Sequence, residues 1–104
     1  MLVQARRSPE AGALVRFGLT ASKKTGGAVV RNRARRRLRE IARALLPRHG
    51  RPGVDYVFIA NPRTAVAPWG RLLDEAQTAL QRLSRALDRQ DAAAPPSDRP
   101  KESP

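Results

Sequence analysis

The chain has 104 residues, which suits a single small domain with a modest core. Its 21 Lys and Arg residues against 9 Asp and Glu residues give a formal net charge of +12 and a pI near 11.8, which favours nucleic acid or an anionic membrane surface as the partner. Cysteine is absent, no apolar run approaches the roughly 20 residues that span a bilayer, and the N-terminus lacks the apolar core of a secretory signal. These features predict a soluble, cytoplasmic protein without disulfides.

Two strands are predicted before the most basic segment. Residues 2–5 form a short apolar stretch typical of an edge strand, and Ser8-Pro9 with Gly12 indicates the turn that follows it. Residues 13–21 alternate between apolar and polar, which is the period of a half-buried strand. Phe17 lies on the apolar side of this alternation, so we expect its ring to pack in the core.

Residues 27–46 are predicted to form a helix with two chemically different sides. Apolar residues at helical spacing form the core side: Val30, Ala34, Leu38, Ile41, Ala42 and Leu45. Seven arginines fall within residues 31–43, and one opposite flank carries Asn32, Arg35, Arg36, Arg39 and Arg43, with Arg33 and Arg37 on the next. We expect the helix to end before Pro47, because proline cannot continue a helix interior.

The arginine flank indicates a polyanionic partner. A solvated helix face usually mixes acidic and basic residues, whereas Arg31, Arg35 and Arg39 repeat one charge at i,i+4 spacing and repel one another. Arginine also suits phosphate, since its planar guanidinium donates two parallel hydrogen bonds. Composition alone does not distinguish RNA from duplex DNA.

The segment before this helix, residues 22–27, has two interpretations. It is either a flexible basic turn or a phosphate-binding turn beside a helix N-terminus, and it lacks the residue order of a Walker loop. Its position favours the second interpretation, because Ser22, Lys23 and Lys24 would extend the positive surface of the helix.

The second half of the chain predicts a strand, a helix and a tail. Residues 54–60 suit a buried strand in which Tyr56 and Phe58 are packed, and residues 67–87 carry a leucine stripe typical of an amphipathic helix. Residues 88–104 are rich in proline and lack a periodic apolar face, so we expect a disordered tail. His49 has no partner ligands nearby in sequence, and no acid pair or nucleophile-base pair emerges, so the sequence indicates no metal site and no protein active site.

The order of these features resembles the protein subunit of bacterial ribonuclease P. The strand RFGLTASKK, the helix AVVRNRARRRLRE and the strand DYVFIANPR carry the resemblance, which covers roughly residues 2–87. It implies an α+β fold, with a small mixed sheet packed by the arginine-rich helix and a C-terminal amphipathic helix, and a left-handed β-α-β crossover. It also implies that a partner RNA with magnesium removes the 5′ leader of precursor tRNA, while the protein itself binds no cofactor.

The resemblance further implies partners and contact residues. The partners are ribonuclease P RNA and precursor tRNA, with no membrane and no obligate protein partner. The residues expected to contact RNA are Ser22, Lys23, Lys24, Arg31, Asn32, Arg33, Arg35, Arg36, Arg39 and Arg43.

The start of the sequence departs from the family pattern. Family members usually carry an N-terminal basic helix that helps to form a cleft for the leader, whereas here Met1 lies close to the first strand. We therefore expect residues 1–87 to form one RNA-binding domain lacking that helix. Either the true start lies upstream, or the protein is short and binds the leader weakly. The alternative functions are a non-enzymatic basic RNA-binding protein of ribosomal type, or a truncated product without a working role.

Overall fold

Three strands and two helices form the part of the chain that the computed structural model describes, residues 1–93. In chain order they are β1 (Leu2–Arg7), β2 (Val15–Thr20), α1 (Ala28–His49), β3 (Val54–Ile59) and α2 (Trp69–Ala93). Two short 3-10 turns, Pro9–Ala11 and Lys23–Thr25, follow β1 and β2 respectively. The first of them confirms the turn predicted from Ser8-Pro9 and Gly12.

The sheet is mixed, and the last strand in sequence lies at its centre. The strand order is β1-β3-β2, with β3 antiparallel to β1 and parallel to β2. A parallel pair needs a crossover connection, and here α1 supplies it as a β-α-β unit. The predicted α+β fold is therefore confirmed, while the left-handed sense of the crossover stays a prediction.

One face of the sheet packs against both helices. Tyr56 and Phe58 of β3 are buried among apolar side chains of α1 and α2, which confirms their predicted packing. The Tyr56 hydroxyl accepts a hydrogen bond from the backbone N–H of Arg51 at 3.0 Å, so the polar end of this ring is satisfied. The helices contribute Ala34, Leu38, Ile41, Ala42, Leu46, Leu72, Ala76, Leu80 and Leu87 to the core.

Helix α1 continues past the predicted end at residue 46. It includes Pro47 and ends at His49. A proline in the final turn removes one backbone donor, but the Gly50 N–H still donates to the Leu46 carbonyl at 2.8 Å and closes that turn. The prediction was wrong because Pro47 lies in the last turn, where its missing N–H costs the helix only one backbone hydrogen bond.

Helix α2 also extends beyond the predicted boundary at residue 87, so residues 88–93 are helical rather than disordered. Two ion pairs link this turn to the rest of the domain. Arg51 pairs with Asp88, and Arg7 of β1 pairs with Asp91 at 2.6 Å. Composition does not reveal such tertiary partners. The rest of the predicted tail, residues 94–104, lies outside the described residues.

Candidate nucleic-acid interface

The exposed side of α1 carries the arginines that the sequence predicted there. Ala34, Leu38 and Ile41 are fully buried, and they turn the opposite side of the helix to solvent. Asn32, Arg33, Arg36, Arg39 and Arg43 are exposed, while Arg31 and Arg35 are half-buried. We call the following set the arginine face: Arg31, Asn32, Arg33, Arg35, Arg36, Arg39 and Arg43.

The arginine face lacks compensating carboxylates within residues 1–93. The ion pairs of this part of the chain involve Arg7, Arg16, Arg51 and the N-terminal amine, all outside α1. Glu40 is exposed on the same helix and forms none of these pairs. The positive charge of the face is therefore available to an external anion.

Two hydrogen bonds fix the flank of α1 that faces β2. One guanidinium nitrogen of Arg35 donates to the Ala21 carbonyl, just after β2, and another donates to Oδ1 of Asn32, both at 3.3 Å. The bond from Arg35 orients the Asn32 side chain and uses its amide oxygen as an acceptor. Its amide N–H groups remain the donors that it can offer to a ligand.

Arg37 is engaged differently from the other arginines of α1. One of its guanidinium nitrogens donates to the Thr64 carbonyl at 2.8 Å, and the guanidinium carbon lies 5.6 Å from the ring centre of Trp69. Both contacts join α1 to the segment at the start of α2. Helical spacing predicted the side of α1 on which Arg37 lies, but it did not predict the contacts with Thr64 and Trp69.

The basic turn before α1 lies beside the first turn of the helix. Ser22 Oγ accepts a hydrogen bond from the Lys24 N–H at 3.3 Å, and the side chains of Lys23 and Lys24 are exposed. Gly26 has φ 145°, and a Cβ there would lie 2.8 Å from the Val30 side chain, so only glycine fits. This close approach connects the turn directly to the helix.

The start of α1 has no side-chain cap. Gly27 occupies the N-cap position and has no side chain that can accept from the first backbone N–H groups. These donors and the helix dipole favour an anion near the lysines of the turn. The structure thus brings Ser22, Lys23 and Lys24 together with the start of the arginine face.

Phe17 is more exposed than the sequence predicted. Its side chain is 38% exposed, because β2 is an edge strand and has no neighbour on its outer side among the described strands. One side of the ring still contacts Phe58, with ring centres 6.5 Å apart and planes at 88°. The prediction of a packed ring was wrong because alternation does not distinguish an edge strand from a central one.

A cross-strand ion pair lies on the other face of the sheet. Arg16 of β2 donates to both carboxylate oxygens of Asp55 at 2.7 Å, and it also donates to Ser8 Oγ at 3.1 Å. The hydrogen bonds from Arg16 lower the pKa of Asp55, and the bond from the Ser8 hydroxyl lowers the pKa of Glu10. The sequence did not reveal this pair because it depends on the strand register.

Two further features of residues 1–93 bear on the kind of site. No group of three or more His, Cys, Asp or Glu side chains in this range is arranged to hold a metal ion. No helix in it combines the length and apolarity that crossing a membrane requires.

Comparison with known proteins identifies the family. The family model described as Ribonuclease P matches residues 1–84. The chain is 54% identical over 89 residues to a Ribonuclease P protein component of Caulobacter vibrioides, covering 86% of this chain and 60% of that protein. It is also 54% identical over 85 residues to the Ribonuclease P protein component of Ruegeria pomeroyi, covering 80% of this chain and 68% of the relative.

A solved structure agrees with these sequence matches. The RNase P protein of Staphylococcus aureus aligns with a TM-score of 0.62 and 25% identity, over 78% of this chain and 72% of that one. The chain spans about 60% of the length of the Caulobacter relative. Since the family model covers most of the sequence and two relatives share over half of their aligned residues, the chain belongs to the Ribonuclease P family.

Proposed function

We propose that the chain is the protein component of a ribonuclease P, which binds a catalytic RNA and assists it in removing the 5′ leader from precursor tRNA. The observation that carries this proposal is the arginine face of α1, uncompensated within residues 1–93, in a chain of this family. RNA supplies the dense array of phosphates that such a surface can neutralise.

In this proposal the arginine face binds the phosphate backbone. Residues four apart on a helix are separated by about 6 Å along its axis, so Arg35, Arg39 and Arg43 form a row on one flank. Each guanidinium can donate two hydrogen bonds to phosphate oxygens. Asn32, oriented by Arg35, donates its amide to an acceptor on the RNA.

The turn before α1 extends the same interface. Lys23, Lys24 and the uncapped backbone N–H groups at the helix start bind one further phosphate beside the arginine face. The protein contributes binding, orientation and charge neutralisation, while the RNA subunit with its magnesium ions supplies the cleavage chemistry. Neutralising phosphate repulsion reduces the magnesium concentration that the RNA needs to fold and bind its substrate.

Reconstitution tests this function. The full chain, added to the cognate ribonuclease P RNA at low magnesium, should increase the rate of precursor tRNA cleavage over that of the RNA alone. The product should carry a 5′ phosphate on the mature tRNA end. An unchanged rate with folded protein would refute the proposal for this chain.

Purification from cells distinguishes the proposal from a ribosomal role. Protein isolated under gentle conditions should carry ribonuclease P RNA. Enrichment of ribosomal RNA alone would favour the basic ribosomal type of RNA-binding protein instead.

A further inference from the structure

We propose that a groove between β2 and the C-terminal half of α1 binds an unpaired nucleobase of RNA. This inference rests on the proposed function, because it assumes that RNA is already held on the arginine face. It adds a base-binding site to a surface that otherwise contacts phosphates.

The groove is open to solvent and large enough to accept a flat ring system. Its volume is about 550 Å³, which falls within the range of about 300–1,000 Å³ for ligand pockets. Apolar atoms of β2, α1 and the loop after α1 form most of its surface. We call it the Phe17 groove, and it is lined by Val15, Phe17, Ala42, Arg43, Leu46, Pro47, Gly50 and Pro52.

The exposed aromatic ring gives the groove a stacking surface. Phe17 is 38% exposed, and its contact with Phe58 supports the ring from the core. Because the Phe17 ring is already held in place, stacking a base on it costs little further side-chain entropy of the protein. Stacking on aromatic side chains is the usual way in which proteins hold bases of single-stranded RNA.

The positive charge around the groove favours a nucleotide as the ligand. Arg43 lines it, and Arg39 and Arg35 continue along the same flank of α1 at i,i+4 spacing. No carboxylate is among the lining residues. A flat apolar group attached to phosphates matches this arrangement, and a nucleotide has that chemistry. A purely apolar peptide would gain nothing from the row of arginines.

The test compares two single-stranded RNA octamers of equal phosphate count, one with all its bases and one built from abasic ribose phosphates. The full chain should bind the base-containing octamer about 5- to 150-fold more tightly, the range expected for one stacked base. Phe17→Leu should abolish most of this preference, while Phe17→Tyr should retain it. Leu14→Ala, which changes an exposed apolar residue outside the groove, should leave it unchanged.

The outcomes separate this inference from the proposed function. Equal affinity of the unmodified chain for both octamers would overturn the Phe17 groove as a base site, whether or not any variant folds. Stimulation of the catalytic RNA in the same preparation would then show that the proposed function survives. A chain that self-associates through Phe17, seen by sedimentation as a dimer that Phe17→Leu dissociates, would also overturn the inference, since a second copy would occupy the groove.

Discussion

The arginines of α1 look alike in the sequence, yet they differ in what they contact. Arg36 and Arg39 are exposed and have no carboxylate partner among the described residues. Arg37, between them, is occupied by the Thr64 carbonyl and the Trp69 ring. Helical spacing predicts which side of the helix each arginine occupies, but only the tertiary contacts show which of them are engaged within the fold.

We expect Arg36→Gln to weaken RNA binding through charge. Each lost phosphate contact should reduce the slope of log affinity against log salt by about 0.7 to 0.9. Titrations of the RNA at several salt concentrations measure this slope. Arg82→Gln removes an equal charge from the exposed surface of α2 and should change the slope less. Equal slopes for the Arg36 variant and the unmodified chain would place Arg36 off the RNA.

Arg37→Gln should act on stability instead. It removes a charged hydrogen bond of about 1.5–3 kcal/mol and a cation–π contact of about 0.5–2 kcal/mol, partly offset by solvation of the released groups. We therefore expect the free energy of unfolding to fall by about 1–3 kcal/mol, measured by denaturant titration. The Trp69 fluorescence provides a local signal. A large change in the salt slope without a loss of stability would assign Arg37 to the RNA.

At the scale of the elements, periodicity predicted the existence and type of the three strands and two helices found in residues 1–93. It located β3 and the core side of α1 because consecutive local residues carry those signals. The element ends were less predictable. Pro47 lies within α1, and α2 reaches Ala93, because a backbone bond and ion pairs from distant residues decide those boundaries.

The burial of α1 leads to a prediction about its core side. Leu38 is fully buried, so Leu38→Ala should reduce the free energy of unfolding by about 2–5 kcal/mol through the cavity that it leaves. Val29→Ala on the same helix is a matched control, since Val29 is 81% exposed. Thermal and denaturant unfolding measure both variants. Weakened RNA binding by Leu38→Ala, with unchanged stability, would contradict this assignment.

At the scale of the whole molecule, charge is unevenly distributed. Carboxylates on the sheet and on α2 pair with Arg7, Arg16 and Arg51, whereas the arginine face keeps its charge unpaired within residues 1–93. Helical spacing in the sequence predicted the arginine face, and the composition gives the net charge. It did not predict the Phe17 groove or the Arg16–Asp55 pair, since both depend on the strand order β1-β3-β2.

The cross-strand pair predicts how the stability of the domain depends on pH. Arg16 lowers the pKa of Asp55, so the pair stabilises the fold above the ordinary carboxyl pKa and loses this effect as pH falls through the lowered value. The free energy of unfolding should therefore decrease in acid, and Asp55→Asn should flatten part of that decrease. Asp74→Asn on the exposed surface of α2 serves as the control. Identical acid profiles for the unmodified chain and Asp55→Asn would refute the linkage.

The central position of β3 also sets an order of events during synthesis. This strand is made after α1, yet it pairs with both β1 and β2 and supplies the surface on which α1 packs. Helix α1 carries eight arginines and one glutamate, so it gains little from its own side-chain pairs and depends on this later strand. We therefore expect the arginine face to become ordered only after residues 54–59 have emerged from the ribosome.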